Sequence, residues 1–169
     1  LMFTDRVEQF IPPKKGKKHV LRVIRELLAF RPRHSGTDMT AALDYIGKVL
    51  TRKSVVFVIS DFLAQNIRRP LSVANKRHDL VAISIHDPRE REMPPAGLIE
   101  FEDAETGETL TLDTSSAAVR REFSAGAEKE RESLKNMLRS LGVDHINLST
   151  GEDYSGRLIR FFRERAHRY

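Results

Sequence analysis

The chain has 169 residues, 40% of them hydrophobic and 31% charged, with a formal net charge of +5 and no cysteine. This composition supports one domain with a real core, is that of a soluble globular protein rather than a disordered one, and excludes disulfides and thiolate metal sites. No apolar run approaches the roughly 20 residues of a membrane-crossing helix, and no signal peptide is visible, so the expectation is a cytoplasmic protein with no membrane contact by this chain.

The opening LMFT reads as the end of a strand already under way, so residues 1–169 are expected to form a single domain that lacks its N-terminal part. A short second strand follows over 6–11 and stops at Pro12-Pro13. In GKKHVLRVIRELLAF, Val20, Val23, Ile24, Leu27 and Leu28 recur at helical spacing on an otherwise basic helix, which Pro32 ends. Between residues 12 and 34, eight Lys and Arg face one acid, Glu26. RHSGTD is a turn-rich loop, and Thr37 or Asp38 caps the helix MTAALDYIGKVLT. Residues 55–59, VVFVI, are apolar without a break, β-branched or aromatic, and too few for a helix. They predict a strand buried on both faces that ends in Asp61.

A helical connection over 62–78 is interrupted around Pro70. A second apolar strand ends in His86-Asp87, and a loop leads to a half-exposed β-hairpin at about 97–113, turning near Gly107. Residues 100–113 hold six acids and no base. A long helix follows, capped by Ser115 or Ser116 and closed by Gly142. The strand VDHINLST and a basic last helix, with Arg157, Arg160, Arg163, Arg165 and Arg168 against Glu164, complete the chain.

Helices alternating with apolar strands imply parallel strands with crossover helices, hence a layered α/β sheet. In such sheets ligands bind beyond the carboxyl ends of the strands. Asp61, His86 with Asp87, and Thr150 with Asp153 fall at such ends. Asp61 has two readings here: a residue carried to the binding edge, or the cap of the next helix. Ser35, Thr37 and Asp38 offer hydroxyls and carboxylates at the same edge and suit a hard cation such as magnesium, although SGTD also makes a good helix start.

Three classes of function compete. An enzyme with Asp61 as phosphoryl-transfer nucleophile would want a second acid two residues on, where Leu63 stands. His34, His86 and His145 read as loop or surface histidines without a Ser or Cys partner, and no Gly-rich phosphate loop occurs. Nucleic-acid binding by the basic stretches lacks interleaved aromatic platforms. A non-enzymatic protein-interaction module is favoured, docking through the basic helix face of Lys17, Lys18, Arg22 and Arg25 and through the acidic hairpin. The hairpin also has a plainer reading, as a lid on one sheet edge.

HSGTDMTAALDYIGKVL followed by KSVVFVISDF resembles the second and third loops of a von Willebrand factor A-like domain. FTDRVEQFIPPKKGKKHVLRVIREL, HDLVAISIHDPREREMP and LTLDTSS resemble the bacterial family called domain of unknown function 58, over essentially the whole chain. The resemblance implies a three-layer Rossmann-like, mostly parallel sheet with helices on both faces. It implies a metal-ion-dependent adhesion site, where magnesium bridges the domain to an acid on a partner. Thr37 matches the loop-two threonine and Asp61 the loop-three aspartate, with Ser35 and Asp38 beside them. The implied partner is a MoxR-type AAA+ ATPase or its client, in chaperone-like assembly or maturation of other proteins. The family's Asp-x-Ser-x-Ser loop is absent from these residues, and Phe62 stands where the broader fold usually has Gly. The expectation is therefore Mg2+ in the full-length protein and none held by this chain. Loss of a central first strand is expected to expose strand edges and an apolar helix-docking face, favouring a homodimer or a rearranged sheet.

Overall fold

The computed structural model describes residues 1–102 and 107–167. The expected hairpin turn at 103–106, with Asp103 and Glu105, and Arg168 of the basic tail lie outside the described residues. The elements run β1 (Met2–Phe3), β2 (Val7–Gln9), α1 (Lys17–Ala29), α2 (Met39–Val49), β3 (Val55–Ser60), α3 (Arg68–Arg77), β4 (Asp79–His86), a short 3-10 turn (Pro88–Glu90), β5 (Leu98–Glu102), β6 (Thr109–Asp113), α4 (Ala117–Ser140), β7 (Asp144–Ser149) and α5 (Tyr154–Ala166). The chain is a mixed α/β structure around a three-stranded parallel sheet of order β3-β4-β7. Two antiparallel ribbons, β1-β2 and β5-β6, stand apart from it.

The central strand β4 is apolar at both alternating sets of positions, and residues 80–84 are all buried. On one face Leu80 and Ala82 join Val58 of β3 against Met39 and Leu43 of α2, Leu71 and Ala74 of α3, and Leu138 of α4. On the other, Val81, Ile83, Ile146 and Leu148 pack against Leu158 and Phe161 of α5. Each fully buried Leu contributes about 1.5–3 kcal/mol relative to exposure. The helix ends follow local chemistry. Asp38 caps α2 by accepting from the Ala41 N–H (2.9 Å), and Ser116 caps α4. Gly142, at φ 66°, closes α4: its N–H reaches the Arg139 carbonyl (3.1 Å) and the Val143 N–H that of Leu138 (3.0 Å).

Two expectations change. The run 55–59 is not buried on both faces: Val55, Phe57 and Ile59 are 54%, 43% and 58% exposed. The reason is position. β3 is an edge strand of this sheet, and α5 packs over β4 and β7, with Phe162 meeting the Phe57 ring of β3 at 6.0 Å. The helical connection does not start at 62 either. Residues 62–67 form an irregular turn, and Pro70 sits in the first turn of α3, where its missing N–H breaks no helical bond.

Arg165 of α5 ties the amino ends of two strands together. Its guanidinium pairs with Asp79 of β4 and with Asp144 of β7 (2.6 Å), nearly buried, and lies over the Phe161 ring. Replacing Arg165 by Ala is expected to lower the unfolding free energy by about 3 kcal/mol, because two half-buried carboxylates lose their shared cation. Urea unfolding at neutral pH measures this. A loss below about 1 kcal/mol would mean that water already screens the cluster.

Candidate functional site

The carboxyl ends of the three parallel strands carry the polar residues of interest. At the end of β3 the Asp61 carboxylate is exposed, and its Oδ1 accepts from the Ser60 hydroxyl and the Leu63 N–H, each at 3.2 Å. The Phe62 N–H donates to Ser60 Oγ (3.1 Å). Asp61 therefore closes a tight turn two residues long. It is not the cap of α3, which begins at Arg68 after Ile67 and has no side-chain cap. Phe62 holds φ 62°, a conformation that costs a bulky residue strain, while its ring is 6% exposed in the core. Among the described residues, Asp61 Oδ2 makes no hydrogen bond.

The Ser35–Asp38 loop reaches the same edge. α2 leads into β3 through a short link and must run back along it, so its amino end lies beside the carboxyl end of β3. Met39 and Phe62 share one core cluster accordingly. Glu8 of β2 fastens the approach to this loop. One carboxylate oxygen accepts from the Thr4 hydroxyl (3.1 Å), the Arg33 and His34 N–H groups (3.1 and 3.0 Å) and faces His34 Nδ1 at 2.9 Å. The Asp38 N–H in turn donates to the Thr4 carbonyl (2.8 Å). Ser35, Thr37 and Asp38 are exposed, and one Asp38 oxygen is committed to capping α2.

These donors are oxygens, the kind a magnesium ion takes. Their number is small: among the described residues no group of three or more His, Cys, Asp or Glu is placed to hold a metal ion.

At the end of β4, Asp87 accepts from the Arg89 N–H and, through its other oxygen, from the Thr150 hydroxyl beyond β7, both at 2.9 Å. These two bonds hold its carboxyl below the ordinary carboxylate range. Asp153 has a different job, accepting from the Ser155 N–H (2.9 Å) at the start of α5.

A polar group that the sequence reading missed lies one step inside. Ser84 of β4, buried, donates to Asn147 Oδ1 (3.1 Å) and sits 2.8 Å from His145 Nε2. His145 is thus a strand residue with a serine partner, not a loop or surface histidine without one. Burial, then the cations of Arg131 and Lys135, push its imidazole toward neutrality. No third group orients His145 Nδ1 among the described residues, so the pair lacks the relay of a nucleophilic site. The missed signal was period two: Ser84 and His86, and His145 and Asn147, alternate with apolar residues and so share one face. A cavity of about 440 Å³ opens here between the strand ends, β5 and α4, with Asp61, Ser84, His86 and Asn147 on one side and Phe101, Phe123 and Leu134 among its apolar walls. His86 Nε2 is buried in it without a hydrogen bond.

The basic face lies elsewhere in sequence, on α1. Lys17, Lys18, Arg22 and Arg25 are all exposed, and the two arginines each approach Glu26 at 3.7 Å. Glu26 also accepts from Gln9 of β2 (3.1 Å). No residue of α1 is buried.

A parallel α/β sheet with a turn-forming acid at one strand end and a polar crevice at the others defines a mixed α/β domain. The chain belongs to the family described as Protein of unknown function DUF58, whose model matches residues 1–133. An uncharacterized protein of Mycobacterium avium is 31% identical over 157 residues, which is 90% of this chain and 92% of that protein. Uncharacterized proteins of Mycobacterium bovis and Mycobacterium tuberculosis are 28% identical over 158 residues, 92% of this chain and 50% of each of theirs. The chain therefore spans about half the length of those two relatives. No solved structure matches.

The Glu8 contacts make a pH prediction. The bond from His34, followed by those from Thr4 and the two amides, lowers the Glu8 pKa. A folded-state value below the unfolded one gives stability that is complete above the unfolded pKa, about 4.3, and disappears as pH falls through the folded value. Glu8→Gln should therefore be less stable than the parent protein at pH 7, with the gap closing below about pH 4.3. Unfolding curves of both proteins from pH 7 to pH 3 test this, and a gap independent of pH would refute it.

Proposed function

We propose that this chain is a non-enzymatic protein-interaction module of von Willebrand factor A-like arrangement, working with a MoxR-type AAA+ ATPase in chaperone-like assembly or maturation of other proteins. The observation that carries the reading is α1. Val20, Leu21, Ile24, Leu27 and Leu28 are 47–83% exposed on a helix that also presents Lys17, Lys18, Arg22 and Arg25. An amphipathic helix with no buried residue has a surface that suits another protein, anchored by apolar side chains and steered by charge. Parallel strands with helices packed on both faces and polar loops at the carboxyl edge support the proposed arrangement.

Asp61 supports the second contact. Its Oδ1 is used by the turn and its Oδ2 is free to bind, so Thr37 and Asp61 would supply two oxygens to a magnesium ion whose further places fall to water and to an acid of the partner. The ion would supply a bridge between two carboxylates that otherwise repel. The Ser84–His145 contact is read as structural, since the serine oxygen is buried and the imidazole has no orienting group.

Two measurements test the reading. Binding of the purified ATPase should weaken at least ~10-fold in an Arg22→Glu/Arg25→Glu variant. Asp61→Asn should keep the turn through its remaining oxygen, hence the stability, and lose the magnesium dependence of binding. Absence of binding with and without magnesium, or binding indifferent to both variants, would sink the reading. For the chain alone, calorimetric titration with magnesium should show an affinity no tighter than millimolar, because two protein oxygens rarely compete with water for this ion. A micromolar dissociation constant would contradict that.

A further inference from the structure

α4 seats on the sheet only by its carboxyl half. Leu138 is fully buried and Leu134 and Met137 pack on the core, whereas Phe123 and Ala127 border the cavity at the strand ends. The cavity is propped open. Ser124 Oγ donates to the Arg91 carbonyl (2.8 Å), which ties the loop before β5 to the amino half of α4. Thr114, fully buried just after β6, donates to the Gly97 carbonyl (2.7 Å) and accepts from the Ala96 N–H (3.0 Å). The walls come wholly from residues 61–147, so the cavity rests neither on the β1-β2 ribbon nor on the outer edge of β3. Its two sides differ in chemistry. Toward the sheet lie Ser84, His86 and Asn147, which share one face; toward α4 and β5 lie Phe101, Phe123, Ala127 and Leu134. The Ser84 hydroxyl is fully used between His145 and Asn147. The other two polar groups are not. Among the described residues the Asn147 amide nitrogen has no acceptor, and the buried His86 Nε2 has no hydrogen bond. A buried polar atom left unpaired is costly, so the site gains from a ligand that supplies its partner.

We propose that this cavity binds a small, uncharged, flat aromatic molecule that carries a hydroxyl group, a phenol in chemical class. Its volume of about 440 Å³ lies in the range of small-molecule sites, and the phenylalanines and Leu134 form the apolar side against which an aromatic ring packs. Charge selects a neutral ligand. Asp61, Glu90 and Glu130 border the cavity together with Arg89, Arg91 and Arg131, so a carboxylate meets three acids and an ammonium three arginines. The polar side selects the hydroxyl, which both donates and accepts. It serves the His86 nitrogen in either tautomer of the imidazole, and its oxygen still accepts from the Asn147 amide. This inference stands independently of the ATPase reading, since it needs neither magnesium nor a protein partner.

The probe is 2-naphthol, which is flat, uncharged at neutral pH and fluorescent. Titration of the purified chain should give a dissociation constant of about 100 µM or tighter. Naphthalene, which lacks the hydroxyl, should bind at least ~10-fold more weakly. The ring nitrogen resonances of His86 should move when 2-naphthol is added to the parent protein, a readout that needs no variant. Ala127→Phe places a ring in the same space and should weaken 2-naphthol binding at least ~10-fold, with an unchanged circular dichroism spectrum because Ala127 is a half-buried helix residue. No binding of 2-naphthol at about 1 mM, equal affinity for naphthalene, or unmoved His86 resonances would overturn the proposal. So would a folded Ala127→Phe chain that binds as well as the parent.

Discussion

The structure is governed by one constraint: β4 is dry on both faces. A strand whose residues 80–83 are apolar on both faces can be stable only if each face is covered there, and only as a central strand, where both rows of backbone groups find partners. The rest follows. β3 and β7 must flank it, α2, α3 and α4 must cover one side, and α5 the other. Asn75 shows how the cover is registered, its amide donating to the Leu141 carbonyl (2.9 Å) and accepting from the Leu80 N–H (3.3 Å), so that α3, the end of α4 and β4 meet at one side chain.

A sheet this apolar concentrates its polar groups at the strand ends. At the amino ends Arg165 neutralises two aspartates. At the carboxyl ends Asp61, Asp87 and Thr150 organise turns, and Ser84 with His145 and Asn147 forms a hydrogen-bonded layer just inside. The arrangement separates duties: one end of the sheet is electrostatically closed, and the other leaves an acid oxygen, an imidazole nitrogen and a crevice for something else to meet.

The sequence was most legible where the signal is local. Cap residues such as Asp38 and Ser116, the Gly142 helix end and the apolar β4 could be read from a few neighbouring residues. The strand β3 was misjudged because its composition matches that of β4, and whether a strand is central or an edge depends on which segments pair with it. The partnership of Ser84 and His145 was hidden for the same reason: it requires the β4-β7 register across some sixty residues of chain. Asp61 was correctly placed at a strand end, and its carboxylate closes a turn there rather than capping α3. The turn it forms depends on Phe62 accepting a left-handed backbone, a tertiary choice that no local propensity favours.

That choice at Phe62 makes Asp61 the outer arm of a lever. The ring is clamped in the main core, the backbone between ring and carboxylate has almost no torsional slack, and the carboxylate is bonded into the same turn. The ring shares its core cluster with Leu71, Leu80 and Leu138. The strand end is thus anchored in the interior, with the buried Phe62 ring and the exposed Asp61 carboxylate on neighbouring residues of one turn.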